Sequence, residues 1–163
     1  MLVVLGDIHF SSSKSYFVAA GEKLLFWFQQ WELNNKDNEL LLLGDLVHSS
    51  VNGGVVIEFV ERMARYSRFN KIHIIPGNHD LKRRDGIDQL AYEFLRHNDD
   101  VVIYDRITEA SIQGMNVLLM PHYIPGPGEP PMLEYYSRAH ESFTGDYDLV
   151  VGHFMEEKLS FGT

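Results

Sequence analysis

Two kinds of hydrophobic pattern alternate along the N-terminal part of the chain. Short runs of mainly apolar residues occupy positions 1–5, 39–43 and 71–76, and such runs are typical of strands that are buried on both faces. Between them, apolar residues recur at helical spacing over residues 16–33 and 56–63, and turn-forming residues bound each segment. Strands that alternate with helices in this way predict a mostly parallel sheet.

The first helix is expected to pack on the sheet through five residues at helical spacing: Phe17, Ala20, Leu24, Phe28 and Trp31. Further helices are predicted over residues 87–96 and 132–142. Shorter strands are predicted at residues 101–104, 110–113, 116–120 and 147–151, with Gly114-Met115 as a tight turn. We therefore expect an α/β fold in which two sheet layers, one mostly parallel and one more antiparallel, are covered by helices in an α-β-β-α sandwich.

The composition limits the classes of function. With 163 residues, 45% of them hydrophobic, the chain can bury one core and is expected to be a single domain. It has no apolar run long enough for a membrane span and no basic leader before its first strand, which favours a cytoplasmic location. The absence of cysteine excludes disulfides, thiolate metal sites and cysteine nucleophiles. A net charge of −9 argues against broad, unspecific nucleic-acid binding.

Three of the predicted strands end at a glycine that is followed by potential metal ligands. The motifs are Gly6-Asp7-Ile8-His9, Gly44-Asp45-Leu46-Val47-His48 and Gly77-Asn78-His79-Asp80. Open α/β sheets hold ligands at the carboxyl ends of their strands, so we expect these side chains at one edge of the sheet. Because the chain lacks thiolates, the available oxygen and imidazole ligands suit manganese, iron, zinc or magnesium.

These ligands can be divided between two ions. Asp7 and His9 are two residues apart, a spacing that in an extended strand places both side chains on one face, where they can bind one ion together. Asp45 ends the neighbouring strand and is the expected bridging carboxylate, whereas Asn78 and His153 are expected on the second ion. Two ions about 3.5–4 Å apart can clamp a phosphate and lower the pKa of a bound water toward neutrality.

Other residues near these motifs are candidates for catalysis or substrate binding. His79 is predicted to protonate the leaving oxygen or to stabilise charge on the phosphate, with Asp80 or another acceptor fixing its orientation. His48 is interpreted either as a contact to the substrate or bridging region or as an exposed loop histidine, and His122 as a residue that lines the pocket. Lys82-Arg83-Arg84 is interpreted either as a phosphate-binding segment or as a solvated loop. His73, inside its strand, is expected to be structural.

The three motifs, in this order, resemble the first three signature motifs of the calcineurin-like metallophosphoesterases. The sequence Asp45-Leu46-Val47-His48 and the Asn78-His79-Asp80 form of the third motif are similar to the DNA-repair exonuclease branch, whose bacterial member is SbcD. The resemblance implies a sandwich of the metallophosphoesterase type, two divalent ions with manganese as the expected metal, and DNA as the favoured substrate of an exonuclease or endonuclease. It also implies a second copy of the chain and an SMC-like ATPase as partners.

Two alternatives to the nuclease interpretation remain. One is a small-substrate phosphodiesterase or phosphatase that acts on nucleotides or phosphoproteins. The other is a binding or regulatory module that keeps the fold but has lost turnover.

The family's last ligands come from a strand-end histidine and from a later Gly-His-x-His motif. Gly152-His153-Phe154-Met155 could represent the later motif with Met155 in place of its second histidine. The position of His153 after the Pro-rich loop instead favours the strand-end histidine, which places the final motif beyond Thr163 and leaves the ion of Asp7 and His9 without one ligand. We therefore expect the metallophosphoesterase domain, residues 1–163, to be C-terminally incomplete, or else a natural short form with an impaired site.

Overall fold

Three sheets are present in the described part of the chain. The structure is a computed structural model and describes residues 1–10, 15–30, 37–48, 58, 61–62, 69–84, 87–123 and 128–153. Its longer elements, in chain order, are β1 (Leu2–Gly6), α1 (Ser15–Gln30), β2 (Glu39–Leu43), β3 (Lys71–Ile75), β4 (Leu81–Arg84), β5 (Ile87–Leu90), β6 (Val101–Ile103), β7 (Thr108–Ile112), β8 (Met115–Met120), α2 (Met132–Ser142) and β9 (Leu149–Gly152). Short 3-10 helices cover Asn78–Asp80 and Glu93–His97.

The first sheet is parallel, as the alternation of strands and helices predicts. Its strand order is β1-β2-β3-β6, and Gly6, Leu43 and Ile75 lie side by side at its carboxyl edge. Alternate residues of the central strands point to opposite faces. One face buries Leu40, Leu42, Ile72 and Ile74, and the other buries Leu41 and Ile75. Burial on both faces explains why these strands read as continuous apolar runs.

The second sheet is mixed. β7 and β8 form an antiparallel hairpin, and β8 pairs in parallel with β9. Gln113 and Gly114 make the hairpin turn with φ angles of 52° and 78°. The predicted turn Gly114-Met115 is therefore wrong by one residue, because Met115 already pairs with Ile112. Two successive left-handed residues give the turn a twist that matches the right-handed twist of the strands.

The two sheets face each other across an apolar core. Residues from both sheets fill the space between them: Leu41, Ile75, Ile112, Val117 and Leu119. The opposite face of the first sheet packs against α1 through Leu25. On the second sheet, the Tyr135 hydroxyl of α2 accepts a hydrogen bond from the Ile107 N–H next to β7. The predicted α-β-β-α layering is thus confirmed.

Among the described side chains of α1, Leu25 is buried and Leu24 is partly buried, and Gly21 lies buried on the same face of the helix. Leu25 is 1% exposed, and Gly21 packs so closely that an added Cβ would lie 2.4 Å from the Phe10 ring. Ala20, which the spacing predicts in the core, is exposed, because the face that packs on the sheet is centred one residue further along the helix. The other predicted core positions of this helix lie outside the described residues or side chains: Phe17, Phe28 and Trp31.

The predicted helix over residues 56–63 lies mostly outside the described residues. Glu58, Glu61 and Arg62, which the structure describes, are helical, and Arg62 pairs with Glu22 of α1 at 2.7 Å. Across the described ranges, no helix combines the length and the apolar character that crossing a membrane requires.

The predicted helix over residues 87–96 is wrong, because β5 forms the first part of this segment. β5 pairs antiparallel with β4, and a hydrogen bond of 2.8 Å from the Ala91 N–H to the Asp80 carbonyl closes the base of the hairpin. This long-range pairing overrides the local helical spacing. The segment Lys82-Arg83-Arg84 is accordingly a strand and not a loop, and its side chains lie outside the described part of the structure.

Candidate metal centre

The carboxyl ends of β1, β2, β3 and β9 bring the predicted ligands together. The His9 N–H donates to the Asp45 carbonyl at 2.8 Å, so the chain after β1 follows the chain after β2 beyond the sheet. The His153 N–H donates to the Met120 carbonyl at 3.0 Å and keeps the end of β9 beside β8. The His122 N–H donates to the Pro76 carbonyl at 2.9 Å and joins the second sheet to the loop after β3.

Three of the predicted ligands have left-handed backbone conformations. Asp7, His9 and Asp45 have φ angles of 51°, 50° and 48°, and among the described residues Gln113 is the only other non-glycine residue with positive φ. Such conformations cost about 1–3 kcal/mol each and cluster at functional sites. The side chains of Asp7 and His9 therefore do not meet through the alternation of an extended strand, as predicted, but through a turn that begins after β1 ends at Gly6.

Glycines allow the ligand segments to approach each other closely. A Cβ on Gly44, which has a φ of 70°, would lie 2.3 Å from His153 Nδ1. A Cβ on Gly77 would lie 2.2 Å from Asp45 Oδ1. Both distances are far shorter than any real carbon contact, so each glycine is required for the position of the neighbouring candidate ligand.

Asp45 lies at the middle of the centre and is buried. Its Oδ1 accepts a hydrogen bond of 2.9 Å from the His79 N–H and lies 3.5 Å from His153 Nε2. Its Oδ2 lies 3.5 Å from His9 Nε2. Each carboxylate oxygen thus faces a different histidine, which is the arrangement expected for a bridging ligand.

The surroundings of His153 fit a cation. Its Nδ1 lies 3.2 Å from the Leu43 carbonyl; when the neutral ring carries its proton on Nδ1, this nitrogen donates to the carbonyl and Nε2 presents a lone pair. This Nε2 lies 3.2 Å from Asn78 Oδ1 and 3.5 Å from Asp45 Oδ1. Three acceptor atoms therefore converge on one small space, where a divalent ion would stabilise them. The residues around this space therefore fit the divalent metal ion that the sequence predicts.

The candidate ligands fall into two groups that share Asp45. One group contains Asp7, Asp45 and His153, and the other contains His9, Asp45 and His79, with the ligand atoms of each group within 4.8 Å of one another. The predicted partition instead pairs Asp7 with His9 on one ion, and His9 Nε2 lies 4.0 Å from Asp7 Oδ1. The second group also contains His79, for which the sequence predicts a role toward the substrate and not as a metal ligand.

Three histidine rings lie together on one side of Asp45. The centroid of the His79 ring is 5.1 Å from that of His9 and 5.4 Å from that of His48, and the rings of His48 and His79 are stacked at an interplanar angle of 18°. The His48 N–H donates to the Phe10 carbonyl at 3.0 Å, and this hydrogen bond fixes the segment after β2 that carries Asp45 and His48. His48 is therefore part of the centre and not an isolated loop histidine.

Asp80 has a different environment from the one predicted. It is fully buried, and its two carboxylate oxygens accept hydrogen bonds from the Val47 N–H at 3.0 Å and the Gly77 N–H at 2.8 Å. Burial raises its pKa to about 6, although the hydrogen bonds from the Gly77 and Val47 N–H groups lower it. The carboxylate therefore joins two loops instead of orienting the His79 ring.

Tyr92 is a neighbour of the centre that sequence analysis missed. It is fully buried next to Asp80, yet the sequence places it among ordinary residues of a predicted helix, and no local motif marks it.

His122, predicted to line the pocket, is 8% exposed, and its Nδ1 has no hydrogen-bond partner among the described residues. Burial and the nearby His153 lower its pKa, whereas Asp45 raises it.

Comparisons with known proteins agree with this geometry. The sequence model of the calcineurin-like phosphoesterases matches residues 1–157. A search of curated proteins finds no match. Among solved structures, the fold is similar to the crystal structure of a protein of unknown function from Aquifex aeolicus, with a TM-score of 0.53 and 20% sequence identity over 98% of this chain and 81% of that chain. At this level of identity the likeness shows the fold alone.

Proposed function

Since this chain belongs to the calcineurin-like phosphoesterase family, we propose that it is a hydrolase of phosphodiester bonds that uses two divalent metal ions. The observation that carries the proposal is the position of Asp45, whose Oδ2 lies 3.5 Å from His9 Nε2 and whose Oδ1 lies 3.5 Å from His153 Nε2. A buried carboxylate between two histidines is suited to neutralise two cations at once.

In this proposal, five residues hold the two ions: Asp7, His9, Asp45, Asn78 and His153. Bound divalent ions supply Lewis-acid polarisation of a phosphoryl oxygen and lower the pKa of water. The chain's own contribution is the placement of these ligands. The Leu43 carbonyl lies 3.2 Å from His153 Nδ1 and can accept a hydrogen bond from it, which would leave Nε2 free to bind an ion, and the His79 N–H holds Asp45 Oδ1 at 2.9 Å.

His79 and His48 are proposed to act on the substrate. Their stacked rings lie beside His9, where an imidazolium can donate a hydrogen bond to a phosphate oxygen or a proton to the leaving oxygen. His79 also belongs to a group that could bind an ion. We assign it the substrate role because Asn78, the residue before it, already supplies a ligand oxygen to the space beside His153.

DNA is the substrate we propose, on the basis of the form of the second and third motifs. The basic segment Lys82-Arg83-Arg84 begins two residues after the third motif ends at Asp80, so that its cations can meet a phosphate backbone close to the centre. Manganese is the proposed metal, because carboxylate, amide and imidazole ligands suit it.

Hydrolysis of two substrates by the metal-loaded chain tests the function. We expect manganese-dependent cleavage of a DNA substrate and of bis-p-nitrophenyl phosphate, and loss of both in Asp45→Asn but not in Asp99→Asn, a change of the same kind at an exposed position. Cleavage of the small diester without cleavage of DNA would favour a small-substrate phosphodiesterase. Manganese binding without cleavage of either substrate would contradict the proposed activity.

A further inference from the structure

A short segment that starts at the last residue of β8, residues 120–123, contacts both sides of the candidate metal centre. We call it the β8 segment. The Met120 carbonyl accepts a hydrogen bond of 3.0 Å from the N–H of His153, directly after β9. Two residues later, the His122 N–H donates to the carbonyl of Pro76, directly after β3, at 2.9 Å. The β8 segment thus links the ends of two strands that belong to different sheets.

The two linked strand ends carry candidate ligands that face each other. His153 Nε2 lies 3.2 Å from Asn78 Oδ1 and 3.5 Å from Asp45 Oδ1. Asn78 comes two residues after Pro76, and the residue between them, Gly77, packs so closely that an added Cβ would lie 2.2 Å from Asp45 Oδ1. A displacement of the β8 segment would therefore change the distance between His153 and Asn78, on either side of the space that fits an ion.

Tyr136 of α2 holds the β8 segment through two of its peptide groups. The Tyr136 hydroxyl donates to the Pro121 carbonyl at 2.8 Å and accepts from the Tyr123 N–H at 3.2 Å. These two groups flank His122, the residue whose own N–H donates to Pro76. One hydroxyl, which can donate and accept at once, thus fixes the backbone on both sides of the contact with the segment after β3.

The peptide groups that bind this hydroxyl belong to buried residues. Pro121, His122 and Tyr123 are all buried, and Tyr123 is only 3% exposed. Buried backbone groups need hydrogen-bond partners. Without the Tyr136 hydroxyl, the Pro121 carbonyl and the Tyr123 N–H must find other partners, and the β8 segment has to shift to reach them.

We propose that Tyr136 is a positioning residue that acts through the β8 segment to keep His153 and Asn78 in the geometry that binds a divalent ion. The proposal rests on the proposed function, because it requires that these side chains hold metal. Partners that orient metal ligands typically change metal affinity by about 10–100-fold when they are mutated. Tyr136 acts through the backbone of intervening residues, so we expect a loss near the lower end of this range.

Manganese titration by calorimetry of the metal-free chain tests the proposal. Tyr136→Phe removes the hydroxyl and keeps the ring, and we expect manganese affinity to fall about 10-fold. Tyr135→Phe is the matched control, because Tyr135 is the preceding residue of α2 and is also partly buried. Its hydroxyl accepts a hydrogen bond of 3.2 Å from the Ile107 N–H, next to β7 and not in the β8 segment. We expect Tyr135→Phe to leave manganese affinity unchanged.

Denaturant unfolding with and without manganese separates positioning from a general loss of stability. Metal that binds the folded chain and not the unfolded chain raises the free energy of unfolding by an amount set by its Kd. A hydroxyl with a merely structural role would lower the free energy of unfolding equally in both conditions. If Tyr136 positions the ligands, the gain from excess manganese will be smaller in Tyr136→Phe, by about 1.4 kcal/mol for an affinity loss of about 10-fold.

Three results would overturn the inference. They are unchanged manganese affinity in Tyr136→Phe, equal losses of affinity in Tyr136→Phe and Tyr135→Phe, and a loss of stability in Tyr136→Phe that is the same with and without manganese. The unmodified chain separates this inference from the proposed function. If the unmodified chain binds no manganese, the proposed function fails and the inference fails with it. If it binds manganese and Tyr136→Phe binds it equally well, the inference alone fails.

Discussion

At the scale of single residues, three candidate ligands of the centre have strained backbone conformations. Asp7, His9 and Asp45 all have φ angles near 50°, a conformation that costs about 1–3 kcal/mol per residue. Asp45 also has its carboxylate buried and close to two histidines. This cost is offset if the site binds cations, because metal that binds the folded chain and not the unfolded chain stabilises the fold by an amount that grows with the logarithm of metal concentration relative to Kd.

His79 is the residue whose replacement best separates substrate chemistry from metal binding. We predict that His79→Ala retains the manganese content of the unmodified chain while turnover of a DNA substrate falls by about 10²–10⁴-fold, as expected for a general acid. Metal content measured by elemental analysis, together with single-turnover kinetics, checks this. A variant that loses an ion would show that the group of His9, Asp45 and His79 binds metal directly.

At the scale of elements, strand ends were easier to predict than the segments between them. β2 begins and ends where its apolar run does, and β3 ends one residue before the end of its run, because strands buried on both faces are mainly apolar. The positions of the candidate ligand motifs could be predicted as well, because each motif comes after one of these apolar runs. The β4–β5 hairpin could not be predicted, because its two strands are fixed by pairing with each other and by the Ala91–Asp80 hydrogen bond. The link from Asp80 to Val47 joins distant loops and leaves no sequence pattern.

Gly44 is predicted to be required for manganese binding by the segment after β2 that carries Asp45. In Gly44→Ala the new Cβ would lie 2.3 Å from His153 Nδ1, so His153 must move and manganese affinity must fall. Gly114→Ala is the control, because Gly114 has a similar φ of 78° but nothing within 4 Å of the added carbon. Both variants should lose about 1–2 kcal/mol of stability from the left-handed backbone, and Gly44→Ala should lose more. Equal manganese affinity in the two variants would contradict this account.

The strand pair β2–β3 contains a buried histidine that should make stability depend on pH. His73 Nε2 lies 2.9 Å from Glu39 Oε2, and its Nδ1 lies 2.9 Å from the Tyr104 hydroxyl, consistent with the structural role predicted from sequence. Burial lowers the pKa of His73, whereas the hydrogen bond and charge of Glu39 raise it. Because the folded pKa lies below the unfolded value of about 6.5, the unfolded chain binds more protons just below that pH.

We therefore predict that the free energy of unfolding is constant with respect to His73 above about pH 7.5 and falls as the pH decreases through about 6.5. Denaturant titrations at pH values on both sides of about 6.5 measure the slope of the free energy of unfolding against pH. His73→Gln should flatten it, whereas His97→Gln, at an exposed position, should not. An unchanged slope in His73→Gln would mean that another group, such as His122, accounts for the pH dependence.

At the scale of the whole molecule, the net charge of −9 opposes the approach of DNA. Two divalent ions would reduce the charge to −9 + 4 = −5, so bound metal alone does not make the chain basic. A nuclease of this charge needs a local basic surface to meet a phosphate backbone. Sequence could predict the layered fold and the metal-binding edge, but a basic surface depends on side-chain positions that strand periodicity does not specify.

Lys82-Arg83-Arg84 is the segment predicted to supply that surface. Replacing all three residues with Gln should weaken DNA binding equally for different sequences and reduce the slope of log affinity against log salt, by about one for each phosphate that the variant no longer neutralises. Arg138→Gln is a control on α2, where Arg138 pairs with Glu134. Full retention of DNA affinity and salt slope in the triple variant would favour the small-substrate phosphodiesterase.

The central claim is that Asp45 joins two metal ions in one centre, and manganese titration of the metal-free chain and of Asp45→Asn tests it most directly. Two charges 4 Å apart interact with about 4 kcal/mol at an effective dielectric constant near 20, so removal of the charge between two cations should cost several kcal/mol of binding. We predict two ions per unmodified chain, lower stoichiometry and affinity in Asp45→Asn, and no change in Asp99→Asn. Unchanged manganese stoichiometry and affinity in Asp45→Asn would contradict the bridging role.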